Sequence, residues 1–431
     1  MKKQVRRLGV PVTCVGVVMT PWLSLATGFR LPDQDAFATA RGEAFAATAD
    51  NPSAIFYNPA GITQLEGHQF RGGVYGLNIQ VSYESPSGHE VDNEEELFAI
   101  PQFFYTFTPE KLPLSFGLGV YSPYGLSSGW QDDSGFRTLA TEAKLSYYCF
   151  NPVVAYEIMP GLSVAAGLTV NKVELDLQQG LFWPASGDDG FRFKGDGWTT
   201  GFNAGVLWKA CEQLSFGLNF RSATQVDLEG RTEAYNSVLL PSPAFPGGAL
   251  PPFNHGSEAE MGFRFPLNVV MGVSYRPTPK WNIEFNADYT YWNYLNTATI
   301  QQANQWPPAP FPALLPNSIP VPLNWDSSWY YEFGVTHYFD SGWTVSAGYI
   351  FNENSVPDTN YNPLVFDMDR HFWSAGVGYH WDHASIDLAY QFGYGPTRTV
   401  RDSAPSAAGQ TADGEYDFMS HALFLSFGWR F

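Results

Sequence analysis

From His68 to the final Phe431 the chain changes character at every second position. Gly73, Tyr75, Leu77, Ile79, Val81 and Tyr83 fall on one face, and Val74, Gly76, Asn78, Gln80 and Ser82 on the other. Trp281, Ile283, Phe285, Ala287, Tyr289 and Tyr291 alternate with Asn282, Glu284, Asn286, Asp288 and Thr290. Trp343, Val345, Ala347, Tyr349 and Phe351 alternate with Thr344, Ser346, Gly348 and Asn352. Met261, Phe263, Phe265, Leu267, Val269, Met271, Val273 and Tyr275 alternate with Arg264, Asn268, Gly272 and Ser274. A period of two marks extended strands, and fourteen such segments can be counted.

An apolar-out, polar-in dyad over about ten residues suits a transmembrane β-strand, because lipid touches only one face. A soluble sandwich alternates too, so the connections decide. Turns at Thr108–Pro113, Ile158–Gly161, Ala210–Gln213, Pro277–Lys280, Asp340–Gly342 and Asp382–His383 are short. Between them run long connections: Glu84–Glu96, Pro123–Arg137, Gln178–Gly195, Arg231–Gly256, Asn296–Asn324, Glu353–Arg370 and Thr397–Glu415. Strict short–long alternation predicts an outer-membrane barrel with short periplasmic turns and long external loops. Trp130, Trp281, Trp343 and Trp381, near strand ends, are expected in interfacial girdles.

The first part of the chain does not alternate. Lys2, Lys3, Arg6 and Arg7, the apolar run Leu8–Met19 and Ser24-Leu25-Ala26 read as a signal peptide cleaved after Ala26, with Cys14 inside it. Residues 27–67 are rich in small residues, as a packed insert requires. Asn51-Pro52 and Asn58-Pro59 each pair an Asn cap with proline at the first helical position, and Gly67 stands where a helix would stop.

Composition narrows the picture. Charged residues make up 15% and aromatics 16% of the chain, and beyond the leader no apolar run reaches the roughly 20 residues of a membrane helix. The net charge is −19, and without the leader 19 Lys and Arg face 42 Asp and Glu, a charge of −23. So acidic a chain is not expected to bind nucleic acid through its backbone charge. Cys149 and Cys211 alone survive cleavage and do not make a disulfide framework.

Asn58-Pro59-Ala60, preceded by Ala54-Ile55-Phe56-Tyr57, resembles the plug motif of the FadL/TodX family of outer-membrane transporters for hydrophobic compounds. Tyr121-Ser122-Pro123-Tyr124-Gly125-Leu126 with Trp130, then Phe150-Asn151-Pro152, is similar to that family's third and fourth strands. Phe220-Arg221-Ser222 through Leu228-Glu229-Gly230 resembles its seventh. Val356-Pro357-Asp358, Asp369-Arg370-His371 and Ala375-Gly376-Val377-Gly378-Tyr379 resemble its eleventh and twelfth. The terminal run Leu423, Leu425, Phe427, Trp429, Phe431 resembles the signal read by the barrel assembly machinery.

The resemblance implies a plug inside the barrel, with Asn58, Pro59 and Ala60 in its gating motif. It also implies a third strand that bends inward and opens the wall toward lipid, a role carried to Ser122, Pro123 and Gly125. Proline lacks a ladder donor and glycine weakens pairing, so the residues themselves predict a kink there. The apolar, Pro-rich stretches Ser237–Phe253 and Trp306–Leu323 lie in predicted external loops and are candidate collecting surfaces, although which loops capture ligand stays open. Parity places Lys144, Arg221 and Arg264 inward, and Lys172 beside a bulge expected near Asn171-Lys172. Those four cations are candidates to receive a ligand carboxylate, or else to pair with Glu142, Glu174 and Glu260. Ser420 and His421 point to opposite faces and cannot work together. His380 and His383 have no ligand cluster around them, so neither catalysis nor a metal is expected.

The expectation is an all-β, transmembrane, antiparallel barrel of fourteen strands with an N-terminal plug of short helices in the lumen. Residues 1–26 would be the signal peptide, 27–67 the plug and 68–431 the barrel of a monomer in the outer membrane of a Gram-negative bacterium. It would need no cofactor, and its partners would be hydrophobic small molecules, outer-membrane lipid and, through Phe431, the assembly machinery. Passive uptake of long-chain fatty acids by loop capture, plug movement and lateral release leads. Uptake of hydrocarbons or monoaromatics, a general porin or a structural surface barrel are the alternatives.

Overall fold

The structure is a computed structural model describing residues 28–94, 97–183, 188–241, 248–308 and 314–431; the expected signal peptide lies outside them. Fourteen strands form the wall. They are β1 (Gly67–Glu84), β2 (Leu97–Thr108), β3 (Leu114–Tyr121, then Gly125–Gly129), β4 (Glu142–Met159) and β5 (Leu162–Gln179). β6 (Asp189–Lys209), β7 (Leu214–Arg221, then Thr224–Asn236) and β8 (Phe253–Phe265, then Leu267–Thr278) follow. β9 (Trp281–Tyr291, then Thr297–Gln302), β10 (Ser318–Pro322, then Ser328–Tyr338) and β11 (Trp343–Asn352) come next. β12 (Arg370–His380), β13 (Ala384–Val400) and β14 (Gly414–Arg430) complete the order.

Each strand pairs antiparallel with its neighbour in sequence, and β14 returns to pair with β1 from Gln69↔Arg430 to Glu84↔Glu415. Closure leaves no sheet edge at that seam, which a structure standing in hydrocarbon requires. The turns at one end and the long connections at the other fall as the spacing predicts.

The faces hold a surprise. In the half nearer the short turns, outward residues are apolar and inward ones polar: Trp281, Phe285, Trp343 and Val345 are exposed, whereas Asn282, Glu284, Asn286, Thr344 and Ser346 are buried. Toward the long loops the dressing reverses. On β4, Ala143, Leu145 and Tyr147 are buried inside while Lys144 lies outside. On β1 it is Tyr75, Val81 and Tyr83 that face in, with Ser82 exposed. The wall there stands above the lipid, so water touches its outer face and apolar side chains turn to the loops packed within.

Two corrections follow. The bulge expected near Asn171-Lys172 is absent, because β5 keeps one register through Cys149↔Asn171 and Tyr148↔Lys172, and through Asn171↔Thr199 and Lys172↔Trp198. What changes along β5 is the medium outside it, not the phase of the strand. The true phase changes are in β7 at Ser222-Ala223 and in β8 at Pro266. Pro266 has no N–H for the ladder, so Met261 and Phe265 face in before it, whereas Met271 and Tyr275 face out after it. The Trp130 assignment also changes: it is buried among the loops, donating from Nε1 to the Pro363 carbonyl at 2.8 Å, and not in a girdle. Cys149 is buried, Cys211 exposed, and both are free.

Residues 28–66 lie inside the wall. Helix α1 (Ala36–Ala40) is capped by Asp35, whose carboxylate accepts from Phe37 N and Ala38 N. Asn51 makes a tight turn, accepting from Ser53 N at 2.8 Å, and α2 (Ala54–Tyr57) starts only after it. Asn58 caps a 3-10 helix, Pro59–Gln64, by accepting from Ala60 N. Gly67 has φ +63° and turns the chain from plug into wall.

Candidate functional site

The ladder between β2 and β3 is broken part-way up the wall. Below the break, Phe116–Val120 pairs with Phe103–Phe107 of β2. Above it, Gly125–Gly129 pairs only with β4, so Leu97–Gln102 of β2 keeps a partner on the β1 side alone. Leu97 at that free edge is 80% exposed. Ser122, Pro123 and Tyr124 fold inward at the break, where the chain's own N-terminal segment meets them. Leu31 N donates to Pro123 O at 2.9 Å, Gly125 N to Phe29 O at 3.0 Å, and Gln34 Nε2 to Ser122 O at 2.9 Å. Gly125 fits because a Cβ there would sit 2.8 Å from Leu31 Cδ1.

Behind the gap is a cavity of about 420 Å³. Leu77, Ile79, Ile100, Tyr147, Phe372 and Phe418 give it apolar walls, and Arg30, Pro32 and Asp33 its floor. Phe29 is wedged beside it, 5.1 to 6.0 Å from the rings of Trp292, Trp325, Phe263, Phe265 and Tyr124. A concave apolar site with few polar groups is the usual form of a small-molecule pocket.

Of the four candidate cations, three are not in the lumen. Lys144 is outward, 2.7 Å from Glu142, at the outer rim of the gap. Lys172 pairs outside with Asp196 and lies 5.6 Å over Trp198. Arg264 is outward and donates to Gln225 at 3.0 Å. Lys144 lies where water, not lipid, bathes the outer face, Lys172 has no bulge to turn it in, and Arg264 precedes the phase change at Pro266. Arg221 does face in, but toward the plug: it donates to the Phe56 carbonyl at 3.2 Å and stacks 4.4 Å from the Phe56 ring.

The cavity's own cations are Arg30 and Arg370. Arg30 is committed, with Asp288 on one amino group and Thr290 at 3.1 Å on the other. Arg370 is loosely held. Its Nη2 is 3.5 Å from Asp367, whose other oxygen already accepts from Ser355 N and Oγ at 2.9 and 2.7 Å. Its Nε is buried with no acceptor among the described residues, and its guanidinium lies 5.1 Å over Phe418. In the loop beside it, burial and the Glu353 and Asp367 carboxylates push the Asp369 carboxyl up to about 6. The sequence carried one signal for Arg370, its place in the Asp369-Arg370-His371 landmark; for Arg30 there was none.

The plug is fastened to the wall by backbone contact and ion pairs. Asn58 Nδ2 donates to Ala46 O at 2.8 Å and to Val206 O of β6 at 2.9 Å, tying plug to wall. Pro59 and Ala60 are buried behind it. At Gly348 a Cβ would stand 2.0 Å from the Gly42 amide nitrogen, and at Gly217 2.0 Å from the Ala46 carbonyl oxygen. Arg71 of β1 grips Asp35 of the plug and Asp387 of β13, and Ser426 of β14 accepts from Ala36 N at 3.0 Å. His421 points outward and bonds the Tyr390 hydroxyl, while Ser420 faces in.

A sequence profile of the outer membrane protein transport protein (OMPP1/FadL/TodX) family matches residues 17–431. The chain belongs to that family. It is 23% identical to the long-chain fatty acid transport protein of Escherichia coli K12, over 97% of this chain and 96% of that one. With outer membrane protein P1 of Haemophilus influenzae it shares 21%, covering 92% and 93%. Its fold superposes on a Pseudomonas aeruginosa FadL homologue with a TM-score of 0.79 at 19% identity, covering 94% of this chain and 99% of that one. The Pseudomonas putida toluene transporter TodX gives 0.71 at 15%, with the same coverage. This FadL/TodX member is an outer-membrane β-barrel transport protein. The Escherichia coli and Pseudomonas putida relatives are named as transporters.

Proposed function

We propose that this chain admits long-chain fatty acids passively across the outer membrane. A leader at residues 1–26 directs export and Phe431 engages the assembly machinery, and the protein works as a monomer. Ligand is collected by the external loops, enters the apolar cavity and leaves sideways between β2 and β3 past Ser122, Pro123 and Gly125, while the segment around Asn58, Pro59 and Ala60 anchors the plug. The observation that carries this reading is the cavity's continuity with the unpaired edge Leu97–Gln102. An apolar solute gains nothing from a water-filled pore, whereas a sideways exit lets it pass from pocket to hydrocarbon without crossing water.

The carboxylate is assigned to Arg370, whose free Nε–H and weak hold on Asp367 leave it able to form a charge-assisted bond. In vesicles carrying the full chain, Arg370→Leu should lower uptake of labelled fatty acid about tenfold, the effect of losing one such bond of roughly 1.5 kcal/mol, and leave labelled toluene unchanged. Equal effects on both would transfer the reading to uncharged hydrocarbons, which the aromatic lining and the pairing of Arg30 also favour. Swelling of the vesicles in sugar would replace both readings with a porin.

A further inference from the structure

The Tyr57 hydroxyl, deep in the plug, has three polar neighbours: Gln34 N at 3.0 Å, Pro32 O at 3.2 Å and Glu43 Oε2 at 2.5 Å. A phenol brings one proton to donate and lone pairs to accept. Gln34 N can only donate and Pro32 O can only accept. Were Glu43 a carboxylate, it could only accept as well, and a single hydrogen would have to serve two acceptors. The Pro32 carbonyl would then lose its partner, and a buried acceptor left unmatched destabilises the fold. A carboxylic acid removes the conflict: Glu43 donates to Tyr57, Tyr57 donates to Pro32, and Gln34 donates to Tyr57.

We infer that Glu43 is held as a neutral carboxylic acid and that its proton fastens the pocket floor, Pro32–Gln34, to helix α2. Glu43 is 1% exposed. It faces Asp33 and Thr39 of the plug, Tyr57 of α2 and Glu332 of β10. Arg30, Arg221 and Asp288 share a cavity of about 20 Å³ with it, yet Arg30 is bound to Asp288 and Arg221 reaches Phe56. No arginine or lysine among the described residues makes an ion pair with Glu43. Burial, then the Asp33 carboxylate, hold its proton affinity well above that of an ordinary glutamate. A raised value has a definite sign: the fastening is complete below the usual glutamate range and is lost as pH rises through the raised value. Pro32 and Asp33 line the ligand cavity, so acid locks its floor and alkali frees it. Glu43 is a positioning residue in this scheme, because it reaches ligand only through the floor.

The transport consequence rests on the uptake reading, whereas the proton itself does not. The test therefore has two arms on the full chain in detergent or vesicles. In infrared difference spectra at neutral pH, the C=O stretch of a buried carboxylic acid should be present in the native protein, retained in Asp33→Asn and missing in Glu43→Gln. Its absence from the native protein, or its loss in Asp33→Asn instead, overturns the inference. In the second arm, native uptake of labelled toluene should rise several-fold as pH is raised through the range in which that C=O band disappears. Glu43→Gln, whose amide can donate to Tyr57 at any pH, should give a flat and low profile. A rising profile in Glu43→Gln overturns the latch; no uptake in either protein removes the transport reading and leaves the infrared arm to decide the proton.

Discussion

β4 at its two ends, compared side by side, shows how one strand serves two media. Near the short turns Val154, Tyr156 and Ile158 stand exposed, and Asn151 and Val153 are turned inward. Near the long loops the same alternation continues unbroken, but Lys144 is outside and Ala143 and Leu145 are inside. Apolar side chains go wherever water is not: out into lipid in the first stretch, in toward packed loops in the second. The plug occupies the stretch whose interior is polar, and the cavity behind β3 lies where the interior has become apolar. The barrel thus grips its plug with charges and glycines and lines its cavity with hydrocarbon.

The sharpest way to break that division is Gly348→Val. The new side chain would drive into the Gly42 and Arg41 backbone, which has no rotamer to yield. The plug should be expelled while the wall still assembles, and sugar-driven vesicle swelling should climb from background to that of an open pore. Arg71→Met comes next. It leaves Asp35 and Asp387 buried without their shared cation, at a cost of about 3–5 kcal/mol. Hydrogen exchange of the plug amides should speed up well over tenfold, with the external loops unaffected. The smallest effects belong to Lys172→Gln and Arg264→Gln. Both side chains sit on the water-washed outer face, where such changes stay within about 0.5 kcal/mol, and fatty acid uptake should match the native protein. A marked loss in either would return that cation to the lumen and undo the comparison.

Strand number, turn positions and chain closure were legible because they rest on local chemistry: period-two alternation, short turns and an aromatic end. The caps at Asn58 and Asp35 are local as well, although only Asn58-Pro59 advertised itself. Facing was legible only in the lipid belt, as in β9 and β11, because alternation separates two faces without saying which one meets water. Pro266 carried the warning for β8, since proline inside a strand announces a lost ladder bond, and it flips Arg264 outward. Arg30 and Arg370 were not legible as pocket residues. Their roles come from partners far along the chain, Asp288 for one and the loop held by Ser355 for the other.

The grip of Arg71 has a consequence for how such a molecule is made. Its carboxylate partners lie on the plug and on β13, with β14 running between, so the ion cluster spans the join of the first and last strands. Until the chain's end arrives, α1 lacks Ser426, and Arg71 lacks Asp387 and with it half its neutralising charge. Corking and sealing therefore share one ion cluster: a ring closed around nothing would keep the Arg71–Asp387 pair at its weld and forfeit only the Asp35 contact.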